Sequence, residues 1–173
     1  MRDLDRPARW RSIGWSAARI VTIAVGLLGL YFWLPFDRAS ATQTGLVVAI
    51  ALVIVVAVNA YQLYAVATAE FPTLRAIEAL SVSAMVLLAA FAATYLSMSG
   101  RDTAVFTEPL DHVDSLYVTL TTLTTIGFGD ISPVSNSARI VVMVQMVVNV
   151  VVLGVFVKLV STTVRSRMSQ YGS

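Results

Sequence analysis

A threonine, two glycines and an aspartate lie close together in the second half of the chain, in the string Thr125-Ile126-Gly127-Phe128-Gly129-Asp130. Glycines at alternate positions permit backbone dihedrals that other residues avoid, so successive carbonyl groups can all turn toward one axis. A ring of such carbonyls can replace the water around a cation, and the Thr125 hydroxyl can join them. Ile126 and Phe128 would then point away from the axis into the packing behind it. The competing interpretation is a simple turn.

The residues that precede this string predict a short helix. From Asp114 the sequence runs for about three helical turns, and its acidic start suits the positive end of a helix dipole. Such a helix is too short to cross a bilayer of about 30 Å. A helix that enters a membrane and stops must be followed by non-helical backbone, which is tolerated only where it lines a water-filled cavity or is buried in protein. The pattern therefore favours the cation interpretation.

The composition is that of a membrane protein. Hydrophobic residues make up 57% of the 173 residues and charged residues only 13%, whereas a soluble domain carries about 25% charge. A spanning helix needs about 20 apolar residues, and four segments come close to or exceed this length: about Ile20 to Phe36, Gly45 to Ala69, about Ala79 to Met98, and Ile140 to Val157. The remaining segments are too short for a soluble catalytic domain, and the absence of cysteine excludes disulfides and thiolate catalysis. We therefore expect no enzyme.

The charges predict an orientation. Nine basic residues fall on one side of the four spans and three on the other, which holds six acids. By the positive-inside rule both termini are cytoplasmic. The alternative is a cleaved signal peptide, because Ala39, Ser40 and Ala41 follow the first apolar run. The basic residues are scattered among helix ends and form no stripe, so no nucleic acid partner is expected.

The string from Thr122 to Asp130 closely resembles the signature of potassium channels, Thr-x-Thr-Thr-Val-Gly-Tyr-Gly-Asp, with isoleucine for valine and phenylalanine for tyrosine. The resemblance covers about residues 79–163 as outer helix, pore helix, selectivity filter and inner helix. It implies a filter of Thr125, Ile126, Gly127, Phe128 and Gly129, in which K⁺ is bound by the carbonyls of the first four residues and the Thr125 hydroxyl. Because the chain has a single filter, the resemblance also implies a homotetramer.

Several residues near the filter are expected to support it: Tyr117, Thr121, Thr124 and Asp130. Tyr117 stands thirteen residues before Asp130, where many relatives have a tryptophan that hydrogen-bonds to the filter aspartate, and its hydroxyl can make the same bond. Thr121 stands where some bacterial relatives have a glutamate tied to inactivation, so inactivation behaviour does not carry over.

The fourth span supplies candidates for the pore lining or gate: Asn149, Val150, Leu153, Gly154 and Lys158. Asn149 stands where relatives often have a glycine hinge; it forms either a ring of amides around the cavity or an interhelical hydrogen bond. Gln145 is expected to face a neighbouring helix. Lys158 either snorkels to the interface or places four positive charges at the inner exit.

The sequence therefore predicts an all-α membrane protein with four transmembrane helices, a re-entrant pore helix and a filter loop, assembling as a tetrameric potassium-channel pore. Its expected parts are a cytoplasmic segment (1–19), two accessory helices (20–69), the pore module (79–163) and a cytoplasmic tail (164–173).

The expected function is passive K⁺ conduction across the plasma membrane. No cofactor is implied. The first two spans lack the repeated arginines of a voltage sensor. The alternatives are a weakly selective cation channel, a membrane subunit of a potassium uptake system that does not act alone, and a non-conducting scaffold.

Overall fold

Five helices make up the protein in a computed structural model that describes residues 6–36, 41–69 and 72–171. They are α1 (Arg6–Trp33), α2 (Ala41–Ala67), α3 (Pro72–Arg101), α4 (His112–Leu123) and α5 (Asn136–Tyr171). The all-helical membrane fold predicted from the sequence is confirmed.

The prolines mark helix ends. Pro7 is the second residue of α1 and Pro72 the first of α3, positions where the missing N–H has no helical partner. α1 ends at Trp33, two residues before Pro35. α1 begins at Arg6, within the expected cytoplasmic segment (1–19), and α5 continues to Tyr171, within the expected cytoplasmic tail (164–173). No glycine or proline lies between Gly154 and Gly172 to interrupt α5.

Three helices are long and apolar enough to cross a membrane among the residues described: Thr44–Ala67, Arg75–Arg101 and Asn136–Lys158. They correspond to the second, third and fourth predicted spans. The apolar part of α1 is shorter, Ala17–Trp33. At about 1.5 Å per residue its 17 residues extend about 26 Å, slightly less than the hydrocarbon core.

α3 is the central helix. It packs against each of the other four helices, and α4 also packs against α5. Its buried side chains Leu87, Phe91 and Tyr95 share one apolar core with Val118 of α4 and Val142 of α5. Val55 of α2 belongs to the same core, and α1 and α2 pack mainly against α3.

Polar contacts hold the accessory helices at both ends of α3. Near its carboxyl end, the Thr44 hydroxyl of α2 donates to the Ser97 carbonyl at 3.3 Å. Near its amino end, Arg19 of α1 forms an ion pair with the buried Glu78. The Tyr31 hydroxyl of α1 also donates to the His112 carbonyl at 2.9 Å, which ties α1 to the start of α4.

Candidate ion-coordination site

α4 begins earlier than the sequence indicated. Asp111 is its N-cap, and its carboxylate accepts hydrogen bonds from the N–H of Val113 at 2.7 Å and of Asp114 at 2.8 Å. Asp114 is the third residue of the helix, and its carboxylate accepts the Asp111 N–H at 3.1 Å. The pair forms a capping box, so α4 starts at His112 rather than at Asp114. The N–H groups of Asp114 and Val113 hold the pKa of Asp111 below its ordinary value.

The carboxyl end of α4 leads directly into residues 125–129, called the filter segment below. Three alternate residues in it have positive φ: Thr125 (61°), Gly127 (53°) and Gly129 (80°). The two glycines were predicted to supply this freedom. Thr125 was not, and a β-branched residue in this region carries a strain of roughly 1–3 kcal/mol.

The N–H groups of the filter segment turn back toward α4. The Thr125 N–H donates to the Thr122 carbonyl at 3.2 Å, and the N–H groups of Ile126 and Gly127 both donate to the Thr121 carbonyl, at 2.9 and 3.2 Å. Thr121 therefore supports the filter segment through its backbone. Thr124 caps the end of α4, because its N–H and its hydroxyl both donate to the Leu120 carbonyl, at 2.9 and 2.8 Å.

The carbonyl groups of the filter segment have no such partners. None of the five, from Thr125 to Gly129, accepts a hydrogen bond from any residue that the structure describes, and all five residues are exposed in the single chain. Because these residues are exposed, water can hydrate their carbonyls in the single chain, and all five remain available to an external partner. A cation surrounded by such carbonyls is one such partner.

Tyr117 and Asp130 are joined as the sequence suggested. The Tyr117 hydroxyl donates to Asp130 Oδ2 at 2.7 Å. The ring of Tyr117 lies parallel to that of Phe128, with 6.3 Å between the ring centres and 3° between the planes. Asp130 also has its pKa lowered, first by this hydrogen bond and then by the Ile131 N–H, and the same bond raises the pKa of Tyr117.

A second link at the outer end of the filter segment was missed from the sequence. The Thr107 hydroxyl donates to the Asp130 carbonyl at 3.3 Å and accepts the Ser132 N–H at 3.1 Å. Beside it, Phe106 and Pro133 form an antiparallel bridge. One indication of this link is visible in the sequence, the apolar pair Val105 and Phe106 in an otherwise polar loop. Both side chains are buried in the structure. The loop after α3 therefore holds the residues that follow the filter segment.

The α5 candidates divide into two groups. Val150, Leu153, Gly154 and Lys158 are exposed in the single chain, whereas Asn149 is buried. The Asn149 side-chain amide donates to the Thr122 carbonyl at 3.4 Å, the interhelical bond that the sequence left as one of two alternatives. A cavity of about 280 Å³ lies between α3, α4 and α5, and its lining includes Thr125, Asn149, Val150 and Leu153.

Comparison with known proteins shows which of them this chain resembles. Residues 82–166 match a family described as ion channel. The chain is 32% identical over 68 residues to the calcium-gated potassium channel TvoK of Thermoplasma volcanium, a match that spans 39% of this chain and 20% of the relative. The chain thus covers about a fifth of the length of that curated relative. No solved structure matches the chain.

The matched residues include the whole of α4, the filter segment and most of α3, together with α5 to Ser166. They enclose the site described above, with its free carbonyls and its Tyr117–Asp130 bond. Residues 82–166 are therefore similar to ion channels, and the similarity extends to a calcium-gated potassium channel.

Proposed function

We propose that the protein is a passive, potassium-selective channel in which four identical chains surround one pore. The observation that carries the proposal is the row of five carbonyl groups, Thr125 to Gly129, that accept no hydrogen bond from the described residues. The carbonyls of Thr125, Ile126, Gly127 and Phe128, with the Thr125 hydroxyl, replace the hydration shell of K⁺. The similarity to a potassium channel supports K⁺ as the ion.

The homotetramer in this proposal is what the resemblance to potassium channels implies for a chain with a single filter. One chain supplies one wall of carbonyls, so the coordination shell requires further copies around an axis. The exposure of Ile126 (59%) and Phe128 (69%) supports this, because both are expected to point away from the axis and neighbouring chains would bury both. The same arrangement places the exposed candidates of α5 around the inner cavity.

The membrane and orientation are also part of the proposal. The charge distribution supports a plasma-membrane protein with both termini cytoplasmic, since nine of the twelve basic residues lie on the side of the termini. The filter segment then opens toward the outside through its Asp130 end. Neither a cofactor nor an energy source takes part, so flux follows the electrochemical gradient.

Single-channel recording of the purified protein in lipid bilayers, with K⁺ on one side and Na⁺ on the other, tests the proposal. We expect the reversal potential to lie near the K⁺ equilibrium potential. Gly127→Ala is expected to abolish this preference, because an alanine at φ 53° is strained by roughly 1–2 kcal/mol in each chain. Gly26→Ala is the matched control, since Gly26 lies inside α1 with open space beside it and should leave the preference unchanged.

The other outcomes separate the alternatives. A reversal potential near zero indicates a weakly selective cation channel. Silence under all conditions favours a subunit that needs a partner or a scaffold that does not conduct. A Gly127→Ala protein that conducts with unchanged preference contradicts the site. The mass of the purified complex, measured in the same preparation, must equal four chains.

A further inference from the structure

Two amide side chains of α5, one helical turn apart, both bind the backbone of α4. Gln145 Nε2 donates to the Thr119 carbonyl at 3.2 Å, and Asn149 Nδ2 donates to the Thr122 carbonyl at 3.4 Å. Gln145 is completely buried and Asn149 is 9% exposed. Residues four apart lie on the same face of a helix, so α5 presents a pair of donors to α4 at this face.

A residue of α3 sets the orientation of the Gln145 side chain. The Tyr95 hydroxyl of α3 donates to Gln145 Oε1, which leaves the amide nitrogen to face α4. Tyr95 is itself completely buried. A polar chain therefore runs from α3 through α5 to α4, inside an apolar core where an unmade hydrogen bond would be costly.

Asn149 binds a carbonyl of α4 that also binds the filter segment. The Thr122 carbonyl accepts the Asn149 amide and also the Thr125 N–H, at 3.2 Å. Thr125 is the filter residue nearest α4 and the one non-glycine residue with positive φ in the described part of the chain. The carbonyl that anchors this strained residue is thus fixed from behind by Asn149.

Packing does not explain an amide at this position. Asn149 Oδ1 is buried and has no hydrogen-bond partner among the described residues. Such a group costs roughly 1–3 kcal/mol, which leucine, an apolar residue of similar shape, would avoid. Leucine, however, would lack the amide N–H that Asn149 donates to the Thr122 carbonyl.

We propose that Asn149 is a positioning residue for ion selectivity: by holding the Thr122 carbonyl it keeps Thr125 in the conformation that coordinates the innermost ion. Gln145, oriented by Tyr95, fixes α5 in the register that lets Asn149 reach α4. This inference rests on the proposed potassium channel. It assigns the selectivity of the inner filter end partly to a side chain of the inner helix.

The first test is the ratio of K⁺ to Na⁺ permeability of Asn149→Leu. We expect the ratio to fall about three- to tenfold, the factor that corresponds to the free energy of about one hydrogen bond. Asn59→Leu is the matched control, because the Asn59 amide donates at 2.8 Å to the Val55 carbonyl of its own helix. Its ratio should equal that of the unmodified protein.

The second test does not depend on conduction. Amide hydrogen exchange of the filter segment, measured by mass spectrometry of the full-length tetramer, should be faster in Asn149→Leu than in Asn59→Leu, because Thr125 to Gly127 lose a fixed anchor. If Asn149→Leu fails to assemble, Asn149→Ser replaces it, since the shorter side chain removes the bond to Thr122 without added volume.

The outcomes are distinguishable. Unchanged permeability ratio and unchanged exchange in an assembled Asn149 variant overturn the role of Asn149 and leave the proposed channel intact. An unmodified protein that conducts without preferring K⁺ overturns the proposed function, and the selectivity role falls with it. An equal effect of Asn59→Leu also contradicts the inference, since it would show a general response to losing an amide.

Discussion

The bond between Tyr117 and Asp130 joins the middle of α4 to the residue that follows the filter segment. A phenol donates one hydrogen, and an ionised carboxylate accepts it strongly, which fits the short distance of 2.7 Å. The same phenol ring lies flat against Phe128. One side chain therefore fixes two residues of the filter region, Asp130 by its hydroxyl and Phe128 by its ring.

The pKa shifts predict the pH range of this bond. The lowered pKa of Asp130 means that its contribution is present above the ordinary aspartate value of about 3.9 and is lost as the pH falls through the lowered pKa. The raised pKa of Tyr117 means that the contribution is present below about 10 and is lost as the pH rises through the raised value. The bond is thus intact across the neutral range.

Tyr117→Phe should return the pKa of Asp130 toward its ordinary value, because the hydrogen bond that lowers it is gone. Carboxyl titration by NMR with labelled aspartate measures this, and Tyr61→Phe, an exposed tyrosine of α2, is the control. We also expect K⁺ currents to become less stable in Tyr117→Phe. An Asp130 titration identical in the two variants would exclude the bond.

The residues of the site were predictable to different extents. The hydrogen bond between Tyr117 and Asp130 could be predicted because the resemblance to potassium channels indicated a hydrogen-bonding side chain at Tyr117. The positive φ of Thr125 could not be predicted, because a β-branched residue such as threonine normally adopts a negative φ. Thr107 and Tyr95 were missed because their partners, Asp130 and Gln145, lie 23 and 50 residues away. Such contacts depend on how loops and helices pack rather than on local pattern.

At the scale of helices, an ionic cluster joins α1, α2 and α3. Glu78 of α3 pairs with Arg19 of α1 and, at 2.8 Å, with Arg75 one turn earlier. Arg75 also donates to Gln62 Oε1 of α2 at 3.3 Å. The carboxylate of Glu78 is only 3% exposed. The Glu78 carboxylate stays ionised at this depth because Arg19 and Arg75 both pair with it. Removing any one of the three charges would therefore destabilise the other two.

Glu78→Gln should loosen the accessory helices. The substitution leaves two arginines without their counter-ion, and we expect a loss of about 1–3 kcal/mol, less than the full cost of breaking a buried pair because Arg19 is partly exposed. Thermal unfolding of the purified protein measures it as a lower midpoint. Glu108→Gln, at an exposed residue of the loop between α3 and α4, provides the comparison. Equal midpoints for the two variants would mean that the cluster adds no stability.

Helix positions followed from apolar length and from the prolines, so the helical membrane architecture could be predicted before the structure. The extension of α5 to Tyr171 could not, because its last residues carry no apolar signal and only the absence of a helix breaker allows it. The central position of α3 could not be predicted from the sequence either. The membrane-length segments of the long helices are apolar over most of their surface, so their sequences do not indicate which helix is surrounded by the others.

At the scale of the whole molecule, α1 and α2 differ from a voltage sensor. Moving one elementary charge through the membrane field is worth about 2.3 kcal/mol per 100 mV, so steep gating needs several mobile charges. Between Arg19 and Arg75 the sequence has one basic residue, Arg38, which lies outside the described residues. Arg19 and Arg75 themselves are tied to Glu78.

We therefore expect the open probability to change weakly with voltage, with a slope that corresponds to less than about one elementary charge per channel. Recording in symmetrical K⁺ removes the effect of the ion gradient and measures this slope directly. Arg75→Gln should leave the slope unchanged, because a charge held in a buried cluster does not cross the field. A slope equal to several charges, or one that disappears in Arg75→Gln, would show that α1 and α2 move with voltage. The ion pairs to Glu78 would then have to break during each opening.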